Sequence, residues 1–300
     1  MKNIVCFGEV LWDVFPTHKK IGGAPLNVAL RLKSLENYVS IISKIGKDNN
    51  GQKILFHIVD NDINTENLQI DKNLKSGEVK VTLDNQGSAS YKIESPRAWD
   101  NIELTETAIK STKNADAFIY GSLITRNKTS KETLFELLKF AKYKIFDVNL
   151  RAPFYSTEIL NHLMNEADFI KFNDDELFEI CKSLNYESET IEDYIKFIAV
   201  QTKTKSICVT KGNEGAILYC NNTFYYNDGY AVKVIDTVGA GDSFLATLIN
   251  KLLNKDKPQE AINYACAVGA LVAASEGANP IINREQITKF ISSSKVMCDK

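Results

Sequence analysis

Three observations predict an α/β fold for this chain, with a doubly wound, mainly parallel sheet, helices on both faces and a small β-sheet lid. Short β-rich runs alternate with longer helical patterns over most of the length, as βαβ units require. Glycine-rich turns stand at 22–23 and 239–241, each just ahead of a helical pattern. One segment, 78–94, breaks the rhythm and alternates polar and apolar residues around Gly87.

The first strand is expected at 4–7, where an apolar run is broken at once by Glu9. It therefore reads as a strand, with no N-terminal signal apparent. The first helix is expected over 25–35, where Pro25 suits an opening turn. A strand at 39–43 and a helix over 51–60 follow. The 78–94 segment reads as a hairpin with one polar face, to which 10–17 is expected to pair. Such a flap is either a lid that excludes water from a site or an edge hairpin without function. Further strands are expected at 117–120, 144–148, 169–171 and 206–210, and helices over 130–143, 174–184 and 191–202. A helix over 240–253 carries Phe244, Leu245, Leu248, Ile249, Leu252 and Leu253 at helical spacing, and a last one is expected over 258–275. With no internal repeat or linker, the chain reads as a single domain, 1–300, with a lid drawn from roughly 10–20 and 77–98.

Apolar residues make up 44% and charged residues 25%, which suits a soluble globular fold. A net charge of -2 offers no electrostatic case for nucleic acid or an anionic membrane. The longest apolar stretch, 265–274, is far short of the ~20 residues of a membrane span. Six scattered cysteines without a CxxC pair read as free thiols in a reducing cytoplasm. His18, His57 and His162 are dispersed, so neither a zinc site nor a histidine-based triad is expected. Chemistry must then run on carboxylates, amides and backbone.

The densest motif is Asp236-Thr237-Val238-Gly239-Ala240-Gly241-Asp242-Ser243-Phe244. Small residues at 239–241 let a ligand approach the backbone where free N–H groups and the helix dipole favour an anion. Asp242 beside that turn suits removal of a proton next to a phosphate. A second turn, Gly22-Gly23-Ala24-Pro25-Leu26-Asn27, opens the first helix, and Asn27 offers a donor and an acceptor to sugar hydroxyls. Taken alone it is equally a tight strand-to-helix turn. Asp13 is a candidate hydroxyl acceptor or a solvated loop carboxylate. Two common nucleotide motifs fail. Gly46 and Gly51 have P-loop spacing but are followed by Gln52-Lys53, and Phe244 ends the GxGxxG begun at Gly239.

Together, Gly22-Gly23-Ala24-Pro25-Leu26-Asn27 and Asp236–Asp242 closely resemble the two signatures of the ribokinase-like (PfkB) carbohydrate kinases. The resemblance spans nearly the whole chain, from Gly8-Glu9 to Gly277-Ala278-Asn279-Pro280. Glu36 departs from it, standing where a glycine is usual after the first helix. Within the family, 4–13, 80–99 and Phe146-Asp147-Val148-Asn149-Leu150-Arg151 are most similar to fructokinases. The Asp-x-Asn-x-Arg run also occurs in 2-keto-3-deoxygluconate kinases.

The resemblance implies transfer of the γ-phosphate of ATP to a sugar hydroxyl. It makes Asp242 the catalytic base and the Gly239, Ala240 and Gly241 amides an anion hole. Asp13, Gly22, Gly23, Asn27 and Arg151 would bind the sugar; Arg151 is otherwise a surface ion pair. Asn173 and Glu176 match the family's Asn-x-x-Glu motif and would organise Mg²⁺ through water, whereas locally Asp174 and Glu176 read as ordinary N-terminal helix charges. Lys171, Thr210, Lys211, Gly212, Gly215, Cys266 and Asn279 would lie along the nucleotide. Asp236, Val238, Val272, Ser275 and Gly277 match positions that hold a monovalent cation such as K⁺. A homodimer through the lid is also implied. An aspartate at a helix start stays ionised near neutrality, its reference pKa being ~3.9. It is a weak base towards a free alcohol and serves when the proton moves as the oxygen bonds to phosphorus. Kinases for 2-keto-3-deoxygluconate, ribose or a nucleoside, and a non-catalytic sugar-binding protein of this fold, are the rival readings.

Overall fold

Strand β1 (Asn3–Phe7) is buried from Ile4 to Phe7 with apolar side chains on both faces, as an inner strand of a parallel sheet must be. The computed structural model describes residues 1–83 and 89–298, and the side chains of all these except 81–83, 89–91 and 294–298. The chain gathers into two units, Met1–Lys142 and Tyr143–Lys300.

The first unit runs β1, β2 (Leu11–Val14), β3 (Lys19–Gly22), α1 (Ala24–Ser34), β4 (Tyr38–Gly46), α2 (Asn49–Asp60), β5 (Leu68–Asp71), β6 (Gly77–Leu83), β7 (Ala89–Ile93), α3 (Glu106–Asn114), β8 (Ala117–Gly121) and α4 (Lys128–Leu138). Its main strands lie in the order β8-β1-β4-β5, all parallel. Phe7 and Phe118 meet at 6.0 Å in its core. Each such buried ring contributes on the order of 2–3 kcal/mol of apolar burial.

A separate four-stranded sheet, β3-β2-β6-β7, carries the predicted hairpin. β6 and β7 pair antiparallel, and the early strand joins them through a parallel β2–β6 ladder. The expected Gly87 turn lies outside the described residues.

The second unit runs β9 (Lys144–Asp147), α5 (Thr157–Glu166), β10 (Phe169–Asn173), α6 (Asp174–Ser183), α7 (Ile191–Thr202), β11 (Ser206–Thr210), β12 (Ala216–Cys220), β13 (Thr223–Asn227), α8 (Ala240–Leu253), α9 (Pro258–Ala273) and α10 (Arg284–Cys298). β9, β10 and β11 are parallel; β12 and β13 continue the row antiparallel. α8 packs against α9, burying Phe244, Leu245, Leu248 and Ile249 on the first and Ala265 and Val268 on the second.

Four helices end alike. After α1 the Asn37 N–H donates to Leu32 O (3.4 Å) and the Glu36 N–H to Lys33 O (2.9 Å), with Glu36 left-handed at φ 63°. This is a Schellman turn, which glycine usually closes. Glu36 thus occupies the turn that its family-typical glycine would, at a backbone cost of about 1 kcal/mol. Asp62, Asn185 and Lys255 do the same after α2, α6 and α8.

Candidate active site

In the second unit, parallel pairing brings the carboxyl ends of β9, β10 and β11 to one edge, where Lys171 lies opposite Asp147 and Asn173 opposite Thr210. Sites in parallel sheets form at this edge. Lys171 and Asp147 are both buried, and their ion pair closes at 3.1 Å. Burial opposes the Lys171 charge, but Asp147, then Glu176 and Asp242, outweigh it and push the ammonium pKa above its ordinary value.

The N-terminus of α8 comes to the same ammonium. Gly239 is its N-cap, in the left-handed region at φ 78°, and no side chain caps the helix. A Cβ on Gly239 would press on Ala278 at 2.5–2.6 Å, so a side chain is excluded on both counts. A Cβ on Gly241 would stand 3.6 Å from Lys171 Nζ. Asp242, in the first turn of α8, is half-buried and close enough for its charge to act on Lys171. Of the three expected anion-hole amides, that of Ala240 already donates to Thr237 O at 3.2 Å. The arrangement juxtaposes a carboxylate, a buried cation and a helix start open to an anion.

Asn173 and Glu176 form a reciprocal capping box at the start of α6. Asn173 Oδ1 accepts the Glu176 N–H (2.7 Å) and Glu176 Oε2 accepts the Asn173 N–H (2.8 Å). Glu176 Oε1 accepts the Leu150 N–H at 2.9 Å, so both oxygens are engaged by backbone. Burial raises the Glu176 pKa, against the pull of Lys171. This donor set fits Mg²⁺ held chiefly by water and phosphate, and among the described residues no group of three or more His, Cys, Asp or Glu is arranged to hold a metal ion by itself. Arg151, one residue beyond Leu150, is exposed and donates to Leu150 O at 2.8 Å.

Thr210 ends β11 with its hydroxyl on Phe172 O (3.3 Å). Lys211 donates its N–H to Gly215 O (2.8 Å), closing the turn over Gly212, whose Cα faces open space. Gly215 has a packing reason of its own, since a Cβ there would strike Asn227 O. Cys266 on α9 is buried, its thiol pushed up to about 12 by burial and drawn back by Lys211. Asn279 follows Ala278, the residue that covers Gly239. Asp236 ties two of the expected cation positions together, accepting the N–H of Val238 (3.0 Å) and of Gly277 (3.1 Å). Val272 O already takes the Ser275 N–H at 2.9 Å.

The first unit holds the remaining candidates. Asp13 lies against Gly22, where a Cβ would strike its carboxylate. Gly23 caps α1 at φ 108° without a side-chain cap bond, and a Cβ there would meet Glu9 O at 2.5 Å. Asn27 is buried on the first turns of α1.

A profile described as pfkB family carbohydrate kinase matches residues 1–284. The chain belongs to that family. Among curated PfkB-type relatives, "Probable fructokinase-6, chloroplastic" of Arabidopsis thaliana is 30% identical, covering 93% of this chain and 79% of its own length. "Probable fructokinase-5" of the same plant is also 30% identical, covering 93% and 94%. A solved fructokinase of Xylella fastidiosa with bound ATP superposes with a TM-score of 0.86 at 21% identity, covering 98% of this chain and 100% of that one. A fructokinase of Vibrio cholerae with fructose, ADP and potassium bound gives 0.84 at 23%, covering 97% and 98%.

One pair of residues at this sheet edge escapes sequence reasoning as a pair. Asp147 and Lys171 stand in separate motifs, and only the β9–β10 register joins them. Two neighbouring strands carrying opposite charges toward their carboxyl ends were the available signal.

Proposed function

We propose that the chain is an ATP-dependent fructokinase, transferring the γ-phosphate to the primary hydroxyl of fructose to give fructose 6-phosphate. The observation that carries the reaction type is the uncapped start of α8, with Asp242 in its first turn and the Lys171 ammonium beside Gly241. The choice of fructose rests on the relatives' names and on Asp147-x-Asn149-x-Arg151.

Asp242 takes the proton of the attacking hydroxyl as the oxygen bonds to phosphorus. The Gly239 and Gly241 amides hold the charge that spreads over the transferred phosphoryl oxygens, the Ala240 amide being engaged by Thr237 O. Lys171, fixed by Asp147, supplies the protein's own positive charge there. In the first unit, Asp13, Asn27 and the Gly22-Gly23 turn orient the sugar; Arg151 adds charge at its edge. When bound, Mg²⁺ neutralises the β- and γ-phosphates, organised through water by Asn173 and Glu176. K⁺ near Asp236, Val238, Ser275 and Gly277 belongs to the same reading, as do Thr210, Lys211, Gly212, Cys266 and Asn279 along ATP and a homodimer through the small sheet. The free thiols Cys6, Cys181, Cys208, Cys220 and Cys266 suit a reducing compartment, which we take to be the cytoplasm.

The test is ATP turnover against fructose, 2-keto-3-deoxygluconate, ribose and a nucleoside. The highest kcat/KM should fall on fructose. A preference for the sugar acid would move the assignment within the family, and no turnover with any acceptor would remove the kinase reading.

A further inference from the structure

Three strands of the small sheet send side chains to a single residue at the start of α2. The Trp12 indole N–H of β2 donates to Asn50 O (3.2 Å), and the Lys19 ammonium of β3 donates to Asn50 Oδ1 (2.7 Å). Asn50 Nδ2 in turn donates to Glu78 Oε1 of β6 (2.9 Å). Lys19 also lies over the Trp12 ring at 4.5 Å, and Arg97 holds the other Glu78 oxygen at 3.2 Å. Two residues earlier, Asp48 caps α2 and accepts both the N–H and the hydroxyl of Ser76, at the root of β6. The first turn of α2 therefore grips the sheet at its root and on its surface.

Register shows which surface. Trp12 pairs with Glu78, and Val14 with Lys19, so Trp12, Lys19 and Glu78 share one face. Asp13 pairs with Lys20 and Val79 and points to the other face, where its carboxylate meets Gly22. The sheet is thus bolted through the face opposite its candidate sugar contact. The bolts are a helix-start amide group and three polar partners, and Asn50 itself is only half-buried.

We propose that Asn50 is a positioning residue for sugar binding: it latches the back of the small sheet to α2 and so fixes Asp13 in place. The inference rests on the fructokinase reading for its sugar but not for its geometry. Asn50→Ala removes the Lys19 and Glu78 bonds and leaves the backbone acceptor of Trp12. Trp12→Phe removes the indole donor and keeps a ring.

Amide hydrogen exchange of the ligand-free protein reads the latch without any activity. In Asn50→Ala, exchange across 11–14 and 77–83 should quicken about 5- to 30-fold, as the loss of two net hydrogen bonds predicts, while β1 and β8 keep wild-type rates. Trp12→Phe should give a smaller rise over the same strands. In kinetics, Asn50→Ala should raise the fructose KM about 3- to 10-fold with kcat within about two-fold, the mark of lost binding rather than lost chemistry. Wild-type exchange in these strands, or an unchanged fructose KM beside faster exchange, would overturn the proposal. A wild-type protein that phosphorylates no sugar would instead sink the fructokinase reading, and the exchange result would still judge the latch.

Discussion

Removing Asp147 should unbalance the second unit more than any other single charge change. Its partner Lys171 is buried, and the side chains of the pair are only 7% and 9% exposed at a separation of 3.1 Å. At an effective dielectric of about 20 that separation corresponds to a gross attraction of about 5 kcal/mol. Desolvation of both groups offsets much of it, so the net worth of the pair is small. Breaking it is another matter, because the ammonium stays buried; losses of about 3–5 kcal/mol are usual. Glu176 and Asp242 still face Lys171 and soften the loss. Asp147→Asn should therefore cost about 3 kcal/mol, Lys171→Met somewhat less, and Asp147→Leu with Lys171→Met together less than the sum. Urea unfolding followed by far-UV circular dichroism is the assay. Tryptophan fluorescence is unsuitable, since Trp12 and Trp99 both belong to the first unit. An Asp147→Asn protein within about 0.5 kcal/mol of wild type, or a double variant that is merely additive, would refute the pairing as described.

Three further outcomes follow. Gly241→Val should cut kcat at least about 100-fold, because its side chain would extend toward Lys171 and fill the helix start; steady-state kinetics with unchanged kcat would show that these amides face elsewhere. Glu36→Gly should stabilise the first unit by up to about 1 kcal/mol, as relief of the left-handed turn exceeds the added chain entropy; a lower urea midpoint by Trp fluorescence would count against it. Asp71 is held at about 2, its burial outweighed by donors from Asn101, Leu74 and Asn73 and by Lys44. A depressed carboxylate stabilises above its unfolded value of 3.8, and that contribution disappears as pH falls toward about 2. Acid titration of stability should lose part of its slope in that window in Asp71→Asn; an identical slope would rule Asp71 out.

The alternation of strands and helices was legible because most elements carry a strong apolar period. α8 is such a case, with its buried Phe244, Leu245, Leu248 and Ile249. α3 was missed because its buried positions are only Ala108 and Thr112. α5 had a readable start in Ser156, which accepts from the Ile159 N–H, but it lies just beyond the Asp-x-Asn-x-Arg run. The ends expected at 35, 60, 184 and 253 fall within one residue of those of α1, α2, α6 and α8, although Glu36, Asp62, Asn185 and Lys255 rather than glycines close these turns. α4 begins at Lys128 and stops at Leu138, short of the expected 143, since Phe140 and Ala141 prolong the apolar period without prolonging the helix. At the site, the glycines and Asp242 stood out because close backbone approach demands small residues in one short motif. The Asn-x-x-Glu spacing of Asn173 and Glu176 drew attention only through the family's Mg²⁺ motif; the capping box they form came from the structure. The Asp147–Lys171 pair and the convergence on Asn50 were not legible either, because both depend on strand register.

The most direct test of the account is the turnover of Asp242→Asn with saturating fructose and ATP, alongside calorimetric binding of ADP. The carboxylate's role predicts a kcat lower by about 10²–10⁴ with ADP affinity unchanged. A kcat within about three-fold of wild type would show that the proton leaves by another route.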